Sequence, residues 1–238
     1  MTYDLRRRGE RRRTTIRLSG VKANTLEEQV YQSVREGIIS GELRPGDFLV
    51  EAQLSADLGI SKTPVREALI RLTRDGLVDQ EQHRRSRVAQ PTAEDVRQAC
   101  QLRRWVEGKI AAEAAAGADP ELIERLAATI SESGSAVRRR DARTWAAAIE
   151  DFTDVLVEHS GNRYVAELLE RMRNVLSLIA GASQAMPGRR QRSVEEHRAI
   201  LDAIRAGDPV AAAAATDAHL DSIESDSLGV LEQLSTAA

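Results

Sequence analysis

Aromatic residues are scarce in this chain of 238 residues, at 3%, although hydrophobic residues together make up 42%. The core must therefore be built from Ala, Leu, Ile and Val, which favours packed helices over a sandwich of sheets. Cys100 is the one cysteine, so an internal disulfide is excluded and a reducing cytoplasm is the expected compartment. No apolar run approaches the length of a membrane span, and no apolar stretch follows the Arg-rich N-terminus. We therefore expect neither a membrane helix nor a secretory signal.

Charge is distributed unevenly along the chain. Residues 1–90 contain 17 Lys and Arg against 13 Asp and Glu, whereas the rest contain 17 against 24. The length and this contrast predict a basic arm at 1–22, a DNA-binding domain at 23–90 and a second, acidic domain at 91–238. The arm lacks an apolar pattern, so we expect it to have no fixed structure in the free protein. It either follows a nucleic-acid backbone or serves only as a solubilising tail.

Two short helices separated by a tight turn form the most informative local pattern. In the first, residues 51–58, apolar side chains at helical spacing place one face on a core. Gly59 supplies the turn, since a residue without a Cβ adopts a left-handed backbone at little cost. Ser61 is a good N-cap for the second helix, and Pro64 lies in its first turn, where a missing amide proton costs nothing. Gly76 follows the end of that helix.

Residues 77–78 and 87–89 are predicted to pair as a small hairpin. The loop between them, 81–86, is polar and basic, with no apolar side chain to bury. A helix-turn-helix followed by such a hairpin is a winged helix-turn-helix, whose second helix fits the major groove of DNA. Lys and Arg at the start of that helix can reach base-edge acceptors, and Ser and Thr can bond phosphates.

Nearly all of residues 26–90 strongly resembles the GntR family of bacterial transcription regulators. The matching segments are VYQSVREGIISGELRPGDFL and LSADLGISKTPVREALIRLTRDGLV. By position, the resemblance implies that operator DNA is contacted by six residues, Ser61, Lys62, Thr63 and Arg66 on the second helix and His83 and Arg84 in the wing, near the minor groove. Lys62 stands where the family usually has Arg, and a point charge reads guanine less well than a bidentate fork. The wing segment HRRSR also lacks its customary Gly.

Beyond Pro91 the pattern is helical to the end of the chain. Thr92-Ala93-Glu94-Asp95 is close to a capping box, and Pro, Gly and Asn mark the later breaks. The predicted helices span 93–116, 120–139, 141–159, 163–182, 193–206 and 209–234. Helices of this length predict an antiparallel bundle that is large enough to enclose a ligand cavity. The expected fold is therefore mainly α, with an N-terminal winged helix-turn-helix.

The second half resembles the ligand-sensing FCD-type domain of the FadR subfamily of GntR regulators. The matching segments are LRRWVEGKIAAEAA, FTDVLVEHSGN and EHRAILDAIRAGDPVAAAAATDAHL. Many relatives hold a divalent metal through an Asp and a His four residues apart and two later His, a donor set that suits Zn, Ni or Mn. His197 and His219 match the two later ligands, but Ile149 and Thr153 occupy the earlier positions. The resemblance thus implies an incomplete metal site, and the two histidines are alternatively effector contacts or hydrogen-bonded inner residues.

Arg103 matches the Arg that starts the family's R-x-x-x-E pattern on the first bundle helix. It either clamps an effector carboxylate bidentately or only pairs with Glu107 on the surface. The resemblance implies a homodimeric repressor that binds a near-palindromic operator and responds to an organic acid or acyl derivative. Two alternatives are a metal-dependent helical-bundle enzyme and a non-specific architectural DNA-binding protein. The first lacks a nucleophile–base pair and a complete metal set in the sequence, and the acidic half is superfluous for the second.

Overall fold

The computed structural model describes residues 25–81, 85–184 and 186–237. Helices dominate these ranges, and the only sheet in them is small, three-stranded and antiparallel. The predicted fold, mainly α with a winged helix-turn-helix, is therefore confirmed. The basic arm and the wing residues His83 and Arg84 lie outside the described residues. Within those ranges, no helix has both the length and the apolar character that crossing a membrane requires.

The N-terminal part is a helix-turn-helix with a sheet beside it. Its elements are α1 (Leu26–Ser40), β1 (Phe48–Leu49), α2 (Glu51–Asp57), α3 (Lys62–Arg74), β2 (Val78–Glu81) and β3 (Arg85–Val88). Val65, Leu69 and Leu72 recur at helical spacing on α3 and are buried in one core with the apolar face of α1. This packing turns the opposite face of α3 to solvent.

The sheet places β3 between β1 and β2. β2 and β3 extend further toward the wing loop than predicted, because Glu81 pairs with Arg85 and Gln80 with Ser86. The predicted loop at 81–86 was therefore too long, since polar residues at its ends continue the ladder of backbone hydrogen bonds. β1, which the sequence pattern did not predict, pairs with the other side of β3.

The C-terminal part is a bundle of long helices. They are α4 (Ala93–Gly117), α5 (Pro120–Arg139), α6 (Ala142–His159), α7 (Arg163–Gln184), α8 (Arg189–Arg205) and α9 (Pro209–Ala237). Thr92 and Asp95 form the predicted capping box at the start of α4, with Asp95 N donating to Thr92 Oγ1 at 3.1 Å and Thr92 N to Asp95 Oδ2 at 2.8 Å. α8 begins at Arg189 rather than at residue 193, directly after Gly188, whose φ of 77° only glycine adopts readily.

One helix of the bundle, α7, also belongs to the N-terminal part. Its Leu178 is buried in the same core as α1 and α3, whereas Leu169 and Leu176 are buried in the bundle. Asn174 is 2% exposed and donates from Nδ2 to the backbone carbonyl of Asp75 at 3.2 Å. Because Asp75 is the C-cap of α3, α7 contacts the end of that helix directly.

Candidate nucleic-acid interface and ligand cavity

The start of α3 brings together the four predicted DNA-contacting residues that the structure describes. Ser61, Lys62, Thr63 and Arg66 are all exposed. Ser61 occupies the N-cap position with an extended backbone, but its side chain makes no capping hydrogen bond. Its hydroxyl can therefore bond an external acceptor, and the backbone N–H groups of a helix N-terminus also favour an anion such as phosphate.

Arg66 is held by a carboxylate that sequence reasoning missed. Its Nε donates to Glu51 Oε1 at 3.0 Å and its Nη2 donates to Oε2 at 2.8 Å, across the turn between α2 and α3. Such a bidentate pair fixes the plane of the guanidinium group. The contact therefore orients Arg66 at the solvent-facing side of α3 before any ligand is present.

A groove of about 540 Å³ connects the start of α3 to the base of the wing. Lys62 of α3 and Arg85 of β3 line it, together with Phe48, Leu49 and the carboxylate-bearing Glu51. The two cations come from separate elements but face one surface. That arrangement suits contacts with the phosphate backbone, where neutralisation by Lys and Arg supplies much of the affinity. The sequence pattern did not single out Arg85, because it was assigned to the loop.

The second candidate site is a cavity of about 150 Å³ inside the helical bundle. His197 of α8 and His219 of α9 line it, and their ring centroids are 4.4 Å apart. Phe152 of α6 packs edge-on against His197 at a centroid distance of 4.7 Å. The structure therefore brings the two predicted histidines into contact, although 21 residues, 198 to 218, lie between them in the sequence.

Each histidine is held in one tautomer by its neighbour. Nδ1 of His197 lies 2.7 Å from the backbone oxygen of Ser193, and Nδ1 of His219 lies 2.8 Å from Oε2 of Glu196. Both oxygens can only accept, so Nδ1 carries the proton in each ring. Burial, reinforced by the neighbouring His219, lowers the pKa of His197 to about 3, and burial also lowers the pKa of His219. Near pH 7 the rings are neutral, and each Nε2 is a hydrogen-bond acceptor.

Arg103 of α4 lines the same cavity. Its Nε donates to Glu107 Oε1 at 2.5 Å and its Nη2 donates to Oε2 at 3.3 Å. Both side chains are buried, so the pair lies in the core rather than on the surface. Arg103 therefore pairs with Glu107, in the core and not on the surface as considered from the sequence, and it also borders the cavity.

A network of charges at the cavity wall was missed by sequence reasoning. Arg189 of α8 donates from Nε to Asp226 Oδ2 at 2.6 Å and from Nη1 to Glu196 Oε2 at 3.3 Å. Since Glu196 also accepts from His219, this network ties one histidine to both α8 and α9. The contacts of Arg189 with Asp226 and of His219 with Glu196 join α8 to α9, so they follow from the packing of the bundle and not from local spacing.

Trp145 of α6 is a further cavity residue that the sequence reading overlooked. The side chain is 4% exposed, and its indole N–H has no hydrogen-bond partner among the described residues. A buried donor without a partner is costly unless a ligand or water satisfies it. The chain has two tryptophans, and that rarity was the one signal that could have marked this residue.

The cavity residues do not form a complete metal site. Ile149 and Thr153 of α6 line the cavity near the histidine pair, and neither supplies a carboxylate or an imidazole. Glu150, next to Ile149 on α6, is a carboxylate that also lines the cavity. In the described ranges, no group of three or more His, Cys, Asp or Glu side chains could hold a metal ion. Two imidazoles alone do not make the donor set that Zn, Ni or Mn requires.

Comparison with known proteins identifies both halves of the chain. The family model described as "Bacterial regulatory proteins, gntR family" matches residues 26–88, and the FCD domain matches residues 98–222. The HTH-type transcriptional regulator LutR of Bacillus subtilis is 30% identical over 218 residues, covering 82% of this chain and 98% of LutR. A probable D-xylose utilization operon transcriptional repressor of Paenarthrobacter nicotinovorans is 31% identical, covering 82% and 86% respectively.

A solved structure supports the same assignment. The crystal structure of a putative transcriptional regulator GntR from Rhodococcus sp. RHA1 has a TM-score of 0.72 and 28% identity, covering 85% of this chain and 97% of that one. These similarities favour a regulator over the helical-bundle enzyme and the architectural protein. The chain belongs to the GntR family of bacterial transcription regulators, with the FCD domain of its FadR subfamily, and is a sequence-specific DNA-binding protein that responds to a small molecule.

Proposed function

We propose that this regulator is a homodimeric repressor that acts in the cytoplasm on a near-palindromic operator. Each protomer would place α3 in the major groove, with Ser61, Lys62, Thr63 and Arg66 as the contacting residues. His83 and Arg84 would approach the minor groove from the wing. Two-fold symmetry of the protein matches two half-sites of DNA, which is why we expect the operator to be near-palindromic.

The proposal assigns separate tasks to separate parts of the chain. Residues 23–90 would read the operator, residues 91–238 would bind the effector and form the dimer, and the basic arm at 1–22 would add contacts to the DNA backbone. The relatives described as repressors support the sign of the response. The acidic character of the second part supports its separation from the DNA, since phosphates would repel it.

The contact between α7 and α3 is the observation that carries this proposal. α7 lines the cavity through Arg173, Leu176 and Ser177, and the adjacent Asn174 bonds the C-cap of α3. A ligand that moves or stiffens α7 therefore acts on the DNA-reading helix through the Asn174 hydrogen bond and the packing of Leu178. Such coupling requires that the ligand bind two arrangements of the protein with different affinity.

We propose a small organic acid as the effector class. Arg103 and Arg189 each use some of their N–H groups on carboxylates, but Trp145 Nε1 and Arg173 Nε have no partner among the described residues. Donors of this kind suit the oxygens of a carboxylate. The cavity of about 150 Å³ favours a small acid over a larger acyl derivative.

Binding to the regulator's own promoter region tests the proposal. Fluorescence anisotropy with the full chain should show operator affinity at least about a thousandfold above that for scrambled duplex, as specific regulators display. Footprinting should protect two half-sites about one helical turn apart. Equal affinity for operator and scrambled DNA would contradict the proposal, as would a single protected half-site at saturation.

A further inference from the structure

We propose that His197 and His219 recognise hydroxyl groups of the effector directly, as paired hydrogen-bond acceptors and without a metal ion. This inference rests on the proposed function, because it assigns the recognition chemistry of the effector cavity. It makes the two histidines specificity-determining residues, and it restricts the effector to molecules that carry hydroxyl donors.

The hydrogen bonds of the two rings carry the argument. Ser193 O and Glu196 Oε2 each occupy a histidine Nδ1, at 2.7 and 2.8 Å. Neither Nε2 has a partner among the described residues, while both rings line the cavity. A neutral imidazole with a proton on Nδ1 offers a lone pair on Nε2. The cavity therefore presents two nitrogen acceptors within one small space, and a ligand must supply donors to satisfy them.

Other cavity residues require the opposite chemistry from the ligand. Trp145 Nε1 and Arg173 Nε are donors without partners among the described residues. A molecule that satisfies both sets must carry hydroxyl donors for the histidines and oxygen acceptors for the indole and guanidinium groups. An unsubstituted fatty acid or a simple carboxylate has only the acceptors, so it would leave the two Nε2 atoms unpaired.

The surroundings of the pair explain why a metal does not take this place. Ile149 and Thr153 supply no charged ligand on the facing helix α6, and Glu196 is committed to His219 and Arg189. Ser193 and Glu196 orient the two imidazoles, as such partners do in metal sites, but the described residues supply no complete set of metal ligands. The contacts at Nδ1 thus fix both rings and leave each Nε2 as an acceptor for a hydrogen-bond donor of the ligand.

The cavity volume limits the size of such a ligand. The cavity has a volume of about 150 Å³. An engineered cavity of that size in another protein binds benzene, so we expect a ligand of roughly six to ten non-hydrogen atoms. Glycerate, malate and threonate fall near this range. Each has a counterpart of similar shape without the hydroxyl groups, namely propionate, succinate and butyrate, so the donors can be tested separately from the carboxylate.

The test is calorimetric titration of the full chain with these three pairs in EDTA, repeated with Zn²⁺ or Mn²⁺ added. At least one hydroxylated acid should bind about ten- to a hundredfold more tightly than its counterpart in EDTA. In His219→Leu that preference should shrink, because His197 remains as the single imidazole acceptor. His219→Gln, which keeps an acceptor oxygen, should retain more of the preference than His219→Leu. Val210→Ala, a control at an exposed position outside the cavity lining, should retain all of it.

Three results would overturn the inference: equal affinities within every pair, a preference that appears only with added metal, or no binding by any hydroxylated probe. Should His219→Leu fail to fold by circular dichroism, the wild-type preference and His219→Gln decide the question. Operator binding measured on the same protein separates this inference from the proposed function. If a deoxy acid binds equally well and shifts operator affinity, the regulator stands and the role of the histidines falls. If the hydroxylated acids bind more tightly but no probe shifts operator affinity, the role of the histidines stands. The proposed control of operator binding through this cavity then falls.

Discussion

Replacing Asn174 should disconnect the effector cavity from the DNA-reading helix. The side chain is buried, and its Nδ2 donates to the carbonyl of Asp75, the C-cap of α3. The preceding residue, Arg173, lines the cavity. Asn174→Ala removes the donor without touching the cavity wall or the residues at the start of α3. The variant therefore tests the link and leaves both sites in place.

The magnitude follows from the burial of the bond. Removing one partner of a buried hydrogen bond costs about 1–3 kcal/mol, and allosteric coupling in proteins is typically of that same size, about 1–3 kcal/mol or roughly 5- to 150-fold in affinity. One contact is thus strong enough to carry most of the coupling. The ion pair between Arg35 of α1 and Glu170 of α7 offers a matched control, since its side chains are 27% and 48% exposed. Exposed pairs contribute only about 0–1 kcal/mol.

The assay is operator affinity by anisotropy, with and without a saturating amount of the acid that binds most tightly in the calorimetric panel. The ratio of the two dissociation constants should shrink about tenfold in Asn174→Ala and stay within about twofold of wild type in Arg35→Ala. The free energy of unfolding of Asn174→Ala should also fall by about 1–3 kcal/mol in chemical denaturation. A folded Asn174→Ala protein that keeps the whole effector response would refute the reasoning.

Three further predictions concern the start of α3, the histidine pair and the buried ion pair. Lys62→Ala should lower the slope of log operator affinity against log salt concentration by about 1. Arg66→Ala should weaken the free energy of operator binding by about 1–3 kcal/mol and change binding to scrambled DNA little. Anisotropy across a salt series measures both quantities, and unchanged values would exclude these contacts. The free energy of unfolding should decrease as pH falls below 6.5, because His197 and His219 are protonated only in the unfolded chain. With a folded pKa of about 3, His197 alone accounts for a loss of about 2 kcal/mol at pH 5. Denaturation of His197→Phe should lack that pH-dependent component, and an identical pH slope in the two proteins would contradict it. Arg103→Met should lower the free energy of unfolding by about 3–5 kcal/mol, because it leaves the buried Glu107 carboxylate without its partner. Replacing both Arg103 and Glu107 by Met should restore most of that loss. A double variant that is no more stable than Arg103→Met would contradict this explanation.

Elements with strong local signals were predictable from the sequence. α5 spans Pro120–Arg139 as expected, because Asp119 caps it and Pro120 occupies its first position. α3 begins at Lys62 after Ser61, as the cap and Pro64 indicated. α8 was predicted to start too late, since its first turn has no acidic residue or side-chain cap to mark it. Boundaries therefore followed local chemistry, and the prediction failed where that chemistry was weak.

The candidate cavity was only partly predictable, for a different reason. Family resemblance located His197, His219 and Arg103, but the partners that define their chemistry come from other helices. The bond from Arg189 to Asp226 and the bond between His219 and Glu196 depend on how α8 packs against α9. Periodicity predicts which face of its own helix a residue lies on, but it does not predict which neighbouring helix packs against that face. The neutral state of the histidines and the unpartnered indole of Trp145 are consequences of packing, so they required the structure.

Asp75 accepts one hydrogen bond from α1 and one from α7, and the two bonds differ in length. Tyr31 of α1 donates to Asp75 Oδ2 at 2.7 Å, while Asn174 donates to the backbone oxygen of the same residue at 3.2 Å. The first distance is typical of a strong O–H···O bond, but the second lies at the outer limit for N–H···O. A small outward displacement of α7 would break the longer bond and leave the shorter one intact. A ligand that draws Arg173 into the cavity would also displace the adjacent Asn174. Its binding would therefore weaken the longer bond, from Asn174 to the Asp75 carbonyl, before the bond from Tyr31. The end of α3 would then stay anchored to its own domain through Tyr31 while losing its polar contact with the bundle, which changes the placement of the DNA-reading helix without unfolding it.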